Sequence, residues 1–156
     1  MDDLFADHRL TVAGLLWEAG NGLSIKVAPV LKEHGISALD LNALMRLSRS
    51  PGRRLRMTDL AAQTGLSTSG VTRLMDRLAR SGLADREASP DDRRTTFAVL
   101  TPSGAECLEQ VLPDYLAVVE RWITGLLTPD QLDSLVTGLR VIRDAANPEA
   151  VARTPD

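Results

Sequence analysis

Hydrophobic positions in LTVAGLLWEAGNGLSIKVAPVL, from Leu10 to Leu31, are spread nearly all round a helical cylinder instead of along one stripe. A helix of that kind has to be buried on several sides. Pro29 is expected to kink it, because proline removes an intrahelical hydrogen bond and crowds the preceding turn. Gly35 supplies a C-terminal stop. Ser37 then reads as the N-cap of a second helix, with Asp40 adding an acid to its first turn. Leu39, Leu41, Leu44, Met45 and Leu47 form the apolar face of that helix, and Ser50-Pro51-Gly52 ends it with turn chemistry.

The middle of the chain changes period twice. Leu55-Arg56-Met57 is a short extended stretch, after which Thr58 is expected to cap a helix running through Asp59 to Thr64. Gly65 closes that helix, Leu66 packs inward and Ser67 caps the next, TSGVTRLMDRLARSG. Two short helices joined by Gly-Leu-Ser make the tight turn of a helix-turn-helix. Leu83 to Glu87 then alternates as a strand does, Ser89 to Arg94 is rich in turn residues, and Thr95 to Leu100 is again strand-like. A β-hairpin with a charged tip, placed directly after a helix-turn-helix, is a wing.

Helical spacing returns in the last third. Thr101-Pro102 is an N-cap followed by proline at the first helical position. Leu108, Leu112, Tyr115, Val119, Trp122 and Leu126 follow at intervals of three and four, with Pro113 expected to bend the helix. Thr128-Pro129 repeats the start signal, and Leu132, Leu135, Val136, Leu139 and Ile142 continue the stripe as far as Asn147-Pro148. Residues 148–156 read as a frayed tail. The fold class is therefore mainly α, with a small β component.

Charge sharpens this picture. The chain is acidic as a whole, at −3, but the segment from Arg46 to Arg94 holds eleven arginines and no lysine against six acidic residues. A basic middle inside acidic flanks points to a polyanion as the partner of that segment alone, the plain alternative being a solvated Arg-rich surface. Aromatic residues make up only 3%, too few for a stacking platform on single strands. No apolar run approaches the roughly 18 residues a membrane helix needs. The N-terminus Met1-Asp2-Asp3 is acidic where a secretory leader is basic, so a cytoplasmic location without membrane contact is expected.

On the helix starting at Thr68, Val71, Leu74, Met75 and Leu78 lie at i, i+3, i+4 and i+7 and define a buried face. The opposite face carries Thr68, Ser69, Thr72, Arg73, Asp76, Arg77 and Arg80. Recognition helices enter the major groove with their N-terminal residues nearest the base edges, and short hydroxyl side chains there allow close approach. Ser67 and Thr68 stand where helix N–H groups favour phosphate. Arg73 and Arg77 are long enough to reach guanine or a phosphate, and Arg93 and Arg94 at the hairpin tip suit the narrow minor groove. An ordinary amphipathic helix facing only water is the alternative for the first set, and closure of the hairpin through Asp91 or Asp92 the alternative for the second.

The run LRMTDLAAQTGLSTSGVTRLMDRLARSGLADREASPDDRRTTFAVLTPSG resembles the winged-helix core of the multiple-antibiotic-resistance regulator (MarR) family. The resemblance rests on Leu60-Ala61, Ser67, Val71-Thr72-Arg73, Leu78 with Gly82-Leu83, Asp91 to Arg94, and Leu100-Thr101 with Gly104. One departure is Ser89-Pro90, where the family's wing often opens with Asp-Pro. The resemblance implies a winged helix-turn-helix over residues 37–100, with residues 1–36 and 101–147 forming a helical dimerisation region. It also implies a homodimer that binds double-stranded DNA at a pseudo-palindromic operator, usually as a repressor released by a small phenolic or aromatic ligand. Asp76 would pair with a wing arginine, Arg86 or Arg94, and lock the wing to the helix.

Trp17 either lines a ligand pocket or, more commonly for a tryptophan on such a helix, belongs to the interface core. Cys107 raises the alternative of an oxidant sensor, although Glu106 beside it would raise its pKa and leave it a small buried hydrophobe. A winged helix used for protein contact is a further alternative. His8 and His34 are too few and too isolated for a metal site. No phosphate loop, paired metal ligands or nucleophile–histidine constellation suggests an enzyme, and no cofactor is expected.

Overall fold

The computed structural model describes residues 5–90, 92 and 94–150. It is mainly helical, with one small antiparallel sheet. Among the described residues the α-helices run in chain order: α1 His8–Glu33, α2 Ala38–Arg49, α3 Met57–Thr64, α4 Thr68–Arg80, α5 Pro102–Trp122 and α6 Pro129–Ala146. Three strands, β1 Arg54–Arg56, β2 Ala84–Ala88 and β3 Thr96–Leu100, form a sheet in the order β1-β3-β2. The β2–β3 pair is the expected hairpin, registered from Ala84 opposite Leu100 to Ala88 opposite Thr96. The extended stretch before α3 becomes its third strand, with Arg56 opposite Phe97.

Caps fix where most of these helices start. Ser37 and Asp40 form a reciprocal capping box at α2, as do Thr128 and Gln131 at α6. The Ser67 hydroxyl accepts from the Gly70 amide at 3.1 Å to start α4, and Thr101 caps α5 by accepting from Gly104. Thr58 is not a cap, however. Arg56 is still paired in the sheet when α3 begins at Met57, so Thr58 already lies inside the first turn and Arg56 occupies the cap position with no side-chain bond. Gly65 ends α3 in the left-handed conformation, at φ 68°, a backbone geometry that glycine adopts without a Cβ penalty. Pro29 and Pro113 both sit inside helices that continue past them.

One hydrophobic core lies under the winged segment. Leu44, Leu47, Leu60, Val71, Leu74, Met75 and Leu78 from α2, α3 and α4 are almost fully buried, with Ala98 of the sheet and Val111 of α5. The four apolar positions anticipated on α4 are its buried residues. The helical arms are different. Only Val27 and Leu31 of α1 are buried and no residue of α6 is, while Leu15, Trp17, Ile25 and Val141 stand more than 60% exposed in the single chain. The all-round burial expected for Leu10 to Leu31 is thus absent from one chain taken alone.

The arms meet the winged segment at several places, of which two are close backbone contacts. Residues 148–150, expected to fray, form a 3-10 turn, and Arg46 Nη1 donates to the Ala150 carbonyl at 3.0 Å. At the other junction, Gly104 in the first turn of α5 lies so close to the wing that a Cβ there would come within 2.0 Å of the Leu83 carbonyl oxygen and 2.7 Å of Leu100 Cδ1. Backbone cannot yield to such a clash as a flexible side chain would. Gly104→Ala is therefore expected to lower stability by about 2–3 kcal/mol, read as a fall in melting temperature by circular dichroism. An unchanged melting temperature would show that this junction is loose.

Candidate nucleic-acid interface

Helix α4 has its apolar face in the core, so Thr68, Ser69, Thr72, Arg73 and Asp76 project from the surface as expected. The Arg73 side chain makes no hydrogen bond or ion pair with any described residue. Thr72 donates its hydroxyl to the Thr68 carbonyl at 2.9 Å, and Ser67, besides capping, lies 3.2 Å from the Ser69 hydroxyl. The N-terminal end of α4 is thereby a low, hydroxyl-lined surface, with an uncommitted guanidinium one turn along.

Arg86 comes from the middle of β2 and crosses to this helix. Its Nη1 lies 2.8 Å from Asp76 Oδ1 and its Nη2 donates to the Thr72 carbonyl at 2.8 Å. Of the two wing arginines considered for Asp76, Arg86 is the one that reaches it. A partly exposed pair of this kind adds at most about 1 kcal/mol. Its consequence is geometric, since one guanidinium joins strand and helix at two points.

Among the described residues, Asp92 closes the wing turn. Its carboxylate accepts from the Arg94 amide and the Thr95 hydroxyl, both at 2.9 Å, and these bonds hold its pKa below the ordinary carboxylate value. The Arg94 side chain is left for the cleft between wing and helix, which it lines with Arg56, Thr58, Thr72 and Arg86. Arg93 and Asp91 lie outside the described residues.

Arg77 has to be reassigned. The sequence placed it among the arginines reaching for DNA, but its Nε and Nη2 donate to Asp40 Oδ1 at 3.0 and 2.7 Å. Asp40 is 5% exposed, and a carboxylate so buried requires partners. Its other oxygen accepts from the Ser37 amide and hydroxyl at 2.9 and 2.7 Å. Arg77 therefore fastens α4 to α2.

Known proteins similar to this chain agree with this architecture. The model of the MarR family matches residues 34–95. YkoM of Bacillus subtilis strain 168, described as an uncharacterized HTH-type transcriptional regulator, is 32% identical over 110 residues, which cover 70% of this chain and 69% of that one. The chain belongs to the MarR family. The MarR family transcriptional regulator Sco3205 of Streptomyces coelicolor, solved in complex with DNA, superposes with a TM-score of 0.81 at 31% identity, over 87% of this chain and 86% of that one. The transcriptional repressor MprA of Escherichia coli K12 is 30% identical over 112 residues, 70% of this chain and 64% of its own length. The chain is accordingly a transcription regulator and not an enzyme.

Within this MarR fold, Trp17 is 77% exposed on α1 in the single chain. The large apolar cavity, about 620 Å³, lies instead where α1, α2 and α5 meet. Leu23, Val27, Leu31, Ile36, Met45 and Leu112 form its walls, with Tyr115 as its aromatic residue and Ser37 and Arg49 at its polar edge. Cys107 is half-buried, and burial together with the Asp40 carboxylate, not Glu106, pushes its thiol pKa up. A raised pKa disfavours the thiolate, the form that reacts with oxidants.

Sequence reasoning missed Asp40 as the anchor of α4, and Arg56 and Thr58 as walls of the cleft. Arg56 had a visible signal in the cluster Arg53-Arg54-Leu55-Arg56, but nothing local showed where it would point. Asp40 supplies a pH test. Burial alone would raise its pKa; the hydrogen bonds from Arg77 and Ser37 together outweigh burial, and the pKa lies below the ordinary 3.8. A depressed carboxylate contributes stability above its unfolded pKa and loses it as pH falls through the folded one. Asp40→Asn is expected to cost about 1–2 kcal/mol at neutral pH. Below about pH 4 its melting temperature should converge on that of the unaltered chain. Parallel melting curves across that range would contradict the assignment.

Proposed function

We propose that this chain is a homodimeric transcription factor, acting as a repressor, that reads a pseudo-palindromic double-stranded operator through Thr68, Ser69, Thr72 and Arg73 of α4. The observation that carries this reading is the pairing of an outward-facing hydroxyl-and-arginine surface on α4 with a wing held beside it by Arg86. Asp76 and Arg86 serve as the wing lock, Ser67 holds the start of the helix against phosphate, and Arg94 with Arg93 extends the contact on the wing side. Arg77, which engages Asp40, is left out of the proposed contact set.

Dimerisation is supported by the unpartnered apolar residues of the helical arms. Leu10, Leu15, Leu16, Trp17 and Ile25 on α1, and Leu135, Leu139, Val141 and Ile142 on α6, are all exposed in one chain. An apolar surface of that extent marks a protein interface. A second copy, with the same two arms, buries it and presents two recognition helices to successive major grooves, about one helical turn apart. Trp17 then belongs to the interface core. Release by a small aromatic acid is supported by the cavity beside Tyr115, where Ser37 and Arg49 offer polar partners to a carboxylate or phenol.

Sedimentation equilibrium combined with duplex titration tests the reading. A dimer is expected, and Leu15→Glu should shift it to monomer and weaken DNA binding in parallel. Arg73→Ala should lower affinity for the operator about tenfold or more, consistent with the roughly 1–3 kcal/mol of a base contact, while Thr72→Val changes sequence preference more than affinity. A chain that stays monomeric, or that binds no duplex from beside its own coding region, would favour a protein-contact role for the winged segment.

A further inference from the structure

Arg46 of α2 gathers three parts of the molecule. Its Nε donates to Asn42 Oδ1 at 2.8 Å, a bond one helical turn back that aims the guanidinium. Its Nη1 donates both to Gln63 Oε1 of α3 at 3.2 Å and to the Ala150 carbonyl at 3.0 Å. Gln63 is itself 6% exposed, so the guanidinium is drawn into the seam between α2 and α3. Burial there, more than the neighbouring Arg49 charge, pushes the Arg46 pKa down, and a cation so placed needs acceptors. Residues 148–150 supply one of them, and the turn they form packs against α3. Because that acceptor is main chain, the contact fixes the path of the chain after α6.

That path matters because of what it connects. Helix α6 has no buried residue, and its exposed Leu135, Leu139, Val141 and Ile142 belong to the face assigned above to a second copy. Helix α3 opens the helix-turn-helix and packs against α4. The turn at 148–150 is thus a strap, one end following the α6 arm and the other seated on the unit that reads DNA. We propose that Arg46 and this strap fix the distance and angle between the two recognition helices of the dimer. Arg46 is a positioning residue; it acts through α3 and the strap. The inference rests on the homodimeric DNA-binding reading above and adds to it the means by which half-site spacing is enforced. Among the described residues, the buried core includes none from the turn, so the winged unit keeps its packing when the strap is released. What changes is its orientation on the arm. A looser pair meets correctly spaced half-sites at lower effective concentration and tolerates wrongly spaced ones better.

A spacing profile tests this. Binding is measured by fluorescence anisotropy on a duplex the full chain protects beside its own coding region. The same duplex with two base pairs inserted at its centre turns one half-site by about 70° against the other. Arg46→Ala and a chain ending at Asn147 should remain dimers by sedimentation equilibrium. Both should lose about threefold to tenfold in affinity at the natural spacing and shrink the insertion penalty by a similar factor. Arg46→Lys retains a cationic donor and should recover part of that penalty, while a chain ending at Ala150 should keep all of it. A contact that served stability alone would weaken binding to both duplexes equally and leave the penalty unchanged. That result in the chain ending at Asn147, or its conversion to a monomer, would overturn the proposal and leave the DNA-binding reading intact. Failure of the unaltered chain to dimerise, or to bind either duplex, would overturn both.

Discussion

Helix α4 is held at two carboxylates on two sides. Towards the core, Arg77 reaches back to the buried Asp40 of α2. Towards the wing, Asp76 takes Arg86 of β2. A single helix can roll about its axis even when its apolar face is buried, and a modest roll would turn Thr72 and Arg73 off the surface they share. The two charged contacts, one from each flank, remove that freedom. Neither needs to add much to stability; the buried one is costly to break from one side only, and the exposed one acts mainly by geometry.

The same carboxylate links the reading helix to the rest of the molecule. Asp40 is also the N3 member of the capping box that starts α2, and its cap partner Ser37 lies on the edge of the cavity between α1, α2 and α5. The Ser37–Asp40–Arg77 chain of hydrogen bonds thus spans from that cavity to α4. On the opposite side, the close approach of Gly104 to the Leu83 carbonyl fixes α5 against the wing. The winged segment and the helical arms are joined by short contacts at both places.

Much of this was legible in the chain itself. The period of Val71, Leu74, Met75 and Leu78 gave the orientation of α4, and the glycine and hydroxyl punctuation at Gly65, Ser67 and Thr101 gave the helix ends, because caps and left-handed turns depend on local chemistry. The partners of long side chains were not legible. Arg77 and Arg73 are four residues apart on neighbouring turns, and only the position of Asp40, 37 residues earlier, decides that one turns inward and the other does not. Thr58 was misread for a similar reason: strand pairing between Arg56 and Phe97, a long-range contact, moved the helix start. Trp17, Leu10, Leu15, Leu16 and Ile25 of α1 stay exposed in the single chain, so their apolar pattern finds no account within one chain's described residues.

Everything therefore turns on whether two such helices, each flanked by its wing, meet the duplex together. Hydroxyl-radical footprinting on the protein's bound DNA asks this directly. The account predicts two protected patches on one face of the duplex, centred about ten base pairs apart and symmetric about their midpoint. A single protected patch, or protection spread evenly along the duplex, would contradict it.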